Sequence, residues 1–218
     1  MAAMRGADLI AEYLISEKVP YVFGLCGHGI VGLMDALGSR ADRIKMVGVH
    51  HEQVAGYMAD AYYRISHRPV ATFTSCGPGS VNLVIALACA MMDSSALVAI
   101  TGNVPTTQFN RGPFQETYRH HQADFPSVVR PYVKRSFQVP RPEMLPLALR
   151  QAFKTAATGR PGPVVVDVPL DVFVEETTAA LPEPEAWWHA IDRRSGPSPE
   201  IARRAFDLLA AAERPAIL

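Results

Sequence analysis

Apolar residues along this chain follow two patterns, short uninterrupted runs and stripes with a helical period. The runs predict strands at residues 21–25, 45–49, 70–74, 97–101, 132–139 and 164–168. The stripes predict helices at residues 6–17, 30–37, 80–92 and 144–158, with one more beginning at Glu52. Because strands alternate with helices, the sequence predicts an α/β fold with a doubly wound, mainly parallel sheet flanked by helices.

The pattern changes after Asp171, where several prolines and acidic residues indicate an extended connecting segment. Ser198 then suits a helix N-cap and Pro199 suits the first helical position, while residues 214–218 resemble the opening of a strand. We therefore expect a first domain over residues 1–172, a linker over 173–197 and the beginning of a truncated second domain over 198–218.

Composition excludes several classes of partner. The chain has 218 residues, a formal net charge of zero and no basic run, so we expect no nucleic-acid partner and no anionic membrane surface. The longest apolar run, residues 83–92, is far too short to span a membrane. The three cysteines lack metal-ligand spacing, which indicates reduced thiols in a cytoplasmic protein and no metal site in this chain.

One carboxylate stands at a position where α/β proteins bind ligands. Glu52 follows the predicted strand 45–49 and begins an amphipathic helix, so it lies at the carboxyl end of a strand, where open parallel sheets bind their ligands. A second strand leads into the turn from Ser75 to Gly79. The two segments together predict a cofactor site.

Three glycines after the first main strand allow an alternative interpretation, a nicotinamide-binding site. Gly27, Gly29 and Gly32 match the dinucleotide-binding pattern, and Glu52 lies at about the distance expected of a ribose ligand. Against this interpretation, a complete helix precedes the first main strand, and Glu52 begins a helix instead of ending a strand. The glycines also suit a tight turn between strand and helix.

Six segments, in order along the chain, carry a family resemblance. They are residues 23–27 (FGLCG), 51–53 (HEQ), 74–83 (TSCGPGSVNL), 100–105 (ITGNVP), 114–117 (FQET) and 159–164 (GRPGPV). With these motifs the chain, from Gly6 to about Val172, resembles the N-terminal pyrimidine-binding domain of thiamin-diphosphate-dependent enzymes. The similar group comprises acetohydroxyacid synthases, pyruvate oxidases and benzoylformate decarboxylases.

The resemblance implies a role for Glu52. In that family a glutamate at the matching position bonds N1′ of the aminopyrimidine ring and thereby activates the cofactor for attack on a 2-keto acid. A different interpretation is that Glu52 only stabilises the start of its helix, where acidic residues are favoured.

Other site residues follow from the same resemblance. It implies a catalytic role for Glu52 and for Gln115, and cofactor contacts from Gly27, Glu52, Ser75, Pro78 and Asn82. His28 departs from the family, since acetohydroxyacid synthases have a glycine there; we assign it a catalytic role because an imidazole can relay protons or contact a substrate carboxylate. Several alternatives stay open: Asn82 as a helix cap, His28 as an exposed loop histidine, and Lys134, which matches a family lysine, as a surface lysine. Phe114 borders the substrate side in relatives, whereas His120 and His121 resemble a histidine pair of pyruvate decarboxylases only loosely.

The function implied is that of a thiamin-diphosphate-dependent 2-keto acid decarboxylase or carboligase, similar to acetolactate synthase. Such enzymes bind Mg²⁺ and the diphosphate through a C-terminal Gly-Asp-Gly motif, which this chain lacks. We therefore expect half an active site, no turnover by this chain alone, and a homodimer or homotetramer, with FAD as a possible further cofactor. The alternatives are a nicotinamide-dependent oxidoreductase and a catalytically inert interaction subunit.

Overall fold

A parallel sheet of six strands organises the protein in this computed structural model, which describes residues 3–111, 115, 124–182 and 196–216. The strands are β1 (Met4–Arg5), β2 (Tyr21–Gly24), β3 (Lys45–Gly48), β4 (Ala71–Thr74), β5 (Val98–Asn103), β6 (Arg135–Gln138), β7 (Val164–Pro169) and β8 (Glu176–Thr177). The sheet order is β3-β2-β4-β5-β7-β6, and every neighbouring pair in it is parallel. The predicted mainly parallel α/β sheet is confirmed.

Helices connect the strands and pack in two groups. They are α1 (Gly6–Ser16), α2 (Val31–Gly38), α3 (Glu52–Ser66), α4 (Pro78–Met92), α5 (Phe125–Val129), α6 (Leu145–Ala157), α7 (Leu170–Val174) and α8 (Pro199–Ala211). In one group α1 contacts α2, α6 and α7, whereas in the other α3 packs along α4. This is the arrangement expected of a sheet covered by helices.

The core follows from the apolar runs of the central strands. All residues of β5 and β7 are buried, and Val164, Val165, Val166 and Val168 of β7 are fully inaccessible to solvent. Strands covered on both faces have continuous apolar sequences instead of alternating ones, which is why these runs were recognisable. Asp167 interrupts the valines and is equally buried.

Residues beyond 172 pack against the beginning of the chain. The predicted boundary falls inside α7, and β8 then pairs antiparallel with β1, with Met4 opposite Thr177. Two strands of two residues each carry no periodic signal, so the sequence did not indicate this pair. The division into two domains stays a prediction.

Helix α8 begins as its sequence predicts. The Ser198 side chain accepts a hydrogen bond from the backbone N–H of Ile201, and Pro199 is the first helical residue. Residues 212–216 form no strand, and residues 217–218 lie outside the described part of the chain. Over the described ranges, the structure contains no helix with the length and apolar character of a membrane span.

Candidate cofactor site

The sheet order brings the predicted site segments together. Strands β3, β2 and β4 are adjacent and parallel, so their carboxyl ends meet at one edge of the sheet. Gly27 follows β2, Glu52 follows β3 and Ser75 follows β4. Ligands of open α/β sheets bind at this edge.

Glu52 is held at the start of α3. The preceding residue, His51, caps the helix, because its Nδ1 accepts a hydrogen bond from the Gln53 N–H at 3.2 Å. Glu52 is 8% exposed, and its Oε2 accepts a hydrogen bond from Nδ2 of Asn82 at 3.0 Å. Its Oε1 lies beside Gly79, where an added Cβ would stand 3.0 Å from that oxygen. The carboxylate is therefore fixed between the first turns of α3 and α4.

The turn from Thr74 to Gly79 is shaped by a glycine and by hydroxyl groups. Gly77 adopts φ +60°, a conformation that favours glycine, and Pro78 occupies the first position of α4. The Ser80 hydroxyl donates to the carbonyl oxygen of Ser75 at 2.8 Å and lies 3.2 Å from Oγ1 of Thr74. These contacts fix the backbone that faces Glu52.

The turn after β2 lies directly against the turn after β4. A Cβ added to Gly27 would come within 2.5 Å of the Ser75 Cβ, so only glycine permits this approach. The Gly29 N–H donates to Oγ of Ser75 at 3.2 Å. His28, between the two glycines, is exposed at the start of a short 3-10 turn. The two loops form one rigid edge beside Glu52.

Cys76 connects this edge to Gln115. Its Sγ lies 3.5 Å from Oε1 of Gln115 and 4.0 Å from Nε2 of His28. The Gln115 carbonyl oxygen lies so close to Gly77 that a Cβ there would be 2.0 Å away. Burial raises the pKa of the Cys76 thiol. The sequence analysis gave Cys76 no role, since a single cysteine in a turn carries no signal of its own.

A second residue missed by the sequence analysis is Asp167 of β7. Its carboxylate accepts hydrogen bonds from Thr101 Oγ1 at 2.7 Å, Asn103 Nδ2 at 2.5 Å and Gln138 Nε2 at 3.1 Å. Complete burial raises its pKa to about 7, although the three hydrogen bonds oppose the shift. In the sequence, Asp167 could have been recognised as the one acidic residue within a run of valines. Asp167 joins β5, β6 and β7 and does not contact Glu52.

The comparison with protein families decides the assignment. The family described as thiamine pyrophosphate enzyme, N-terminal TPP binding domain, matches residues 4–124, which include β2, β3, β4 and the turns that follow them. Thiamine pyrophosphate is another name for thiamin diphosphate. This chain belongs to that family.

Several acetolactate synthase large subunits are similar to this TPP-family chain. Isozyme 3 of Escherichia coli (strain K12) is 36% identical over 223 residues, covering 100% of this chain and 37% of that protein. A probable acetolactate synthase large subunit of Methanococcus aeolicus is 35% identical, covering 99% of this chain and 35% of its own length. The Corynebacterium glutamicum large subunit is 39% identical over 78% of this chain and 26% of its own length. The chain thus spans about a third or less of these relatives.

Family membership and structure together argue against the nicotinamide alternative. The glycines of its motif lie against other segments of this chain: Gly27 faces Ser75, Gly29 faces Cys76, and Gly32 faces Phe173. Their spacing is explained by close packing between segments of this protein. Glu52 begins α3 and accepts from Asn82.

Other predicted positions lie away from this edge or outside the described residues. Phe114, His120 and His121 are outside the described part of the chain. Lys134 donates to the carbonyl oxygens of Thr155 and of Thr158, the latter at 2.7 Å, and so caps the end of α6. Burial lowers the pKa of Lys134. Its contacts are those of a structural lysine.

The acidic, histidine and cysteine side chains of the described residues form no metal position. Over the described ranges, no group of three or more such residues is arranged to hold a metal ion. Within those ranges Glu52 accepts from Asn82 and contacts Gly79, neither of which is a metal ligand here.

Proposed function

We propose that this chain supplies the aminopyrimidine-binding half of the active site of a 2-keto acid decarboxylase or carboligase similar to acetolactate synthase. The observation that carries the proposal is the placement of Glu52. A nearly buried carboxylate stands at the carboxyl edge of a parallel sheet, held by Asn82 and facing the backbone of Gly79. This arrangement matches what the family's cofactor requires, one fixed acceptor beside an open surface.

The residues present fit the aminopyrimidine ring. Asn82 donates a hydrogen bond to Oε2 of Glu52. Among the described residues Oε1 accepts no hydrogen bond, so Oε1 is available to N1′ of the ring. Gly79 beside it has no side chain to block an approaching ring. Gly27, Ser75 and Pro78 complete the walls of this edge. The fit therefore rests on one charged acceptor and on backbone kept clear of side chains.

These positions indicate what the cofactor and the protein would each contribute to the reaction. When bound, thiamin diphosphate supplies the carbanion chemistry of decarboxylation, and the protein binds and orients it. Glu52 would hold a proton between its Oε1 and N1′, a charge-assisted hydrogen bond of about 1.5–3 kcal/mol. Proton transfer by a positioned group of this kind typically contributes roughly 10² to 10⁴ in rate. The family resemblance gives Gln115 a place at the 2-keto acid, and His28 is near it, since both side chains approach the Cys76 sulfur.

The other half of the site would come from another domain or subunit. Helices α3 and α4, which begin at Glu52 and Pro78, expose apolar side chains along their length: Val54, Tyr57, Val81 and Ile85 are each at least 39% exposed. Apolar residues on the exposed face of two packed helices are typical of a surface that a partner covers. This supports a homodimer or homotetramer in which Mg²⁺ and the diphosphate bind outside this chain.

The experiment that tests the proposal is Glu52→Gln in the complete holoenzyme. We expect thiamin-diphosphate-dependent release of CO₂ from a panel of 2-keto acids to fall at least 100-fold, since the amide cannot take the proton. Glu143→Gln, at an exposed acid remote from the site, is the matched control and should behave as wild type. Near-normal turnover by Glu52→Gln would refute the role. The isolated chain, with half a site, should show none.

A further inference from the structure

Cys76 occupies a junction of three chain segments. Cys76 is 2% exposed, and its Sγ lies 3.5 Å from Oε1 of Gln115 and 4.0 Å from Nε2 of His28. The thiol also packs against Gly29, where an added Cβ would lie 3.1 Å from the sulfur. The turn after β2, the turn after β4 and Gln115 therefore meet at this sulfur.

The other two cysteines have no such surroundings. Cys26 is exposed, and Cys89 is partly exposed on α4, where its Sγ lies 3.8 Å from the Tyr57 hydroxyl. Cys76 differs because its sulfur approaches His28 and Gln115, the two polar side chains that the proposed function assigns to the substrate.

The Cys76–Gln115 contact is reinforced by the backbone. The Gln115 carbonyl oxygen approaches Gly77, the residue next to Cys76, within a distance that excludes any side chain there. Gln115 itself has φ +60°, a conformation uncommon for a residue with a side chain. Backbone and side chain of Gln115 are thus both held by the Cys76–Gly77 pair.

We infer that Cys76 is a positioning residue for substrate: its thiol donates to Oε1 of Gln115 and so turns the Gln115 amide nitrogen, beside His28, toward the carboxylate of a 2-keto acid. The inference rests on the proposed function. An amide whose oxygen is engaged presents only N–H donors, and an anionic carboxylate accepts from such donors. Because burial raises the pKa of the thiol, Cys76 stays protonated and able to donate at neutral pH.

The test compares Cys76→Ala with Cys76→Ser in the complete holoenzyme. We expect Cys76→Ala to raise the KM for 2-keto acid about 3- to 10-fold, the effect of losing one neutral hydrogen bond, with little change in kcat. The Kd for thiamin diphosphate should stay unchanged. Cys76→Ser keeps a donor and should recover most of the loss. Glu143→Gln, at an exposed acid remote from the site, is the control and should not differ from wild type.

A double-mutant cycle decides whether Cys76 acts through Gln115. Adding Cys76→Ala to Gln115→Ala should have no further effect on KM, because the group that the thiol positions is already gone. Additive effects, or equal losses in Cys76→Ala and Cys76→Ser, would overturn the inference. If Cys76→Ala does not fold, Cys76→Val, which has similar volume and no donor, takes its place.

The two proposals fail in different ways. A wild-type holoenzyme that binds no thiamin diphosphate and turns over no 2-keto acid would overturn the proposed function, and the substrate role of Cys76 with it. Normal wild-type turnover with an unchanged KM in Cys76→Ala would overturn the Cys76 inference alone. The wild-type measurement is therefore made first.

Discussion

The side-chain amide of Asn82 donates to Oε2 of Glu52 at 3.0 Å and so joins α4 to the first residue of α3. Thirty residues separate the two in the chain. The bond orients the carboxylate that the proposed mechanism uses, and it occupies one of the two oxygens. Its energetic effect should therefore be seen in cofactor binding more than in folding.

Replacing Asn82 should weaken the binding of thiamin diphosphate to the holoenzyme. Asn82→Ala removes the hydrogen bond and should raise the Kd for thiamin diphosphate about 10-fold. This is near the smallest effect expected for a hydrogen bond to a charged group, because Asn82 is exposed to solvent. Asn82→Asp places a second negative charge beside Glu52 and should weaken binding further. Isothermal titration calorimetry measures both. Equal Kd values for all three proteins would show that Asn82 does not orient Glu52.

Gly77 and Gly159 provide a matched pair for the turn after β4. Both have positive φ, at +60° and +64°. A Cβ on Gly159 would meet nothing within 4 Å, whereas one on Gly77 would lie 2.0 Å from the Gln115 carbonyl oxygen.

Gly159→Ala should therefore cost only the backbone strain of about 1–2 kcal/mol in the free energy of unfolding. Gly77→Ala carries the same strain and must in addition displace Gln115. We expect it to be more destabilising in denaturant unfolding and to impair substrate binding. If the two variants lost equal stability and kept the same KM, the approach of Gln115 to Gly77 would be of no consequence.

Much of this fold could be predicted because its signals are local. The apolar runs located the six strands of the main sheet, and the Ser198–Pro199 pair located the start of α8. Glu52 could be placed at a strand-to-helix junction because both of its flanking elements have clear periods. The parallel order then brought its neighbours to the same edge.

The contacts that sequence could not supply are those between distant segments. Cys76 and Gln115 are 39 residues apart, and Thr101 and Asp167 are 66 apart. Neither pair carries a pattern that a single sequence can reveal. Strands β1 and β8 are two residues each and pair only because α1 and α7 bring the ends of the first unit together.

Asp167 should give the protein an unusual dependence of stability on pH. Its pKa is about 7 in the folded protein, raised by burial, and about 3.9 in an unfolded chain. The folded state binds this proton more tightly, so the stability that Asp167 contributes is complete below about pH 4 and is lost as pH rises through about 7. The loss is on the order of a few kcal/mol in the free energy of unfolding.

The measurement is the difference in the free energy of unfolding between wild type and Asp167→Asn, taken by urea denaturation from pH 4 to 9. A difference is needed because other carboxyls act in the opposite direction: the hydrogen bond from Arg5 lowers the pKa of Asp8, whose contribution is lost as pH falls. Relative to Asp167→Asn, wild type should lose stability up to about pH 7 and change little above it. Thr101→Val removes a hydrogen bond that lowers the pKa of Asp167, and should move the end of this loss to higher pH. A difference that is flat across the range would mean that the buried carboxyl does not titrate there.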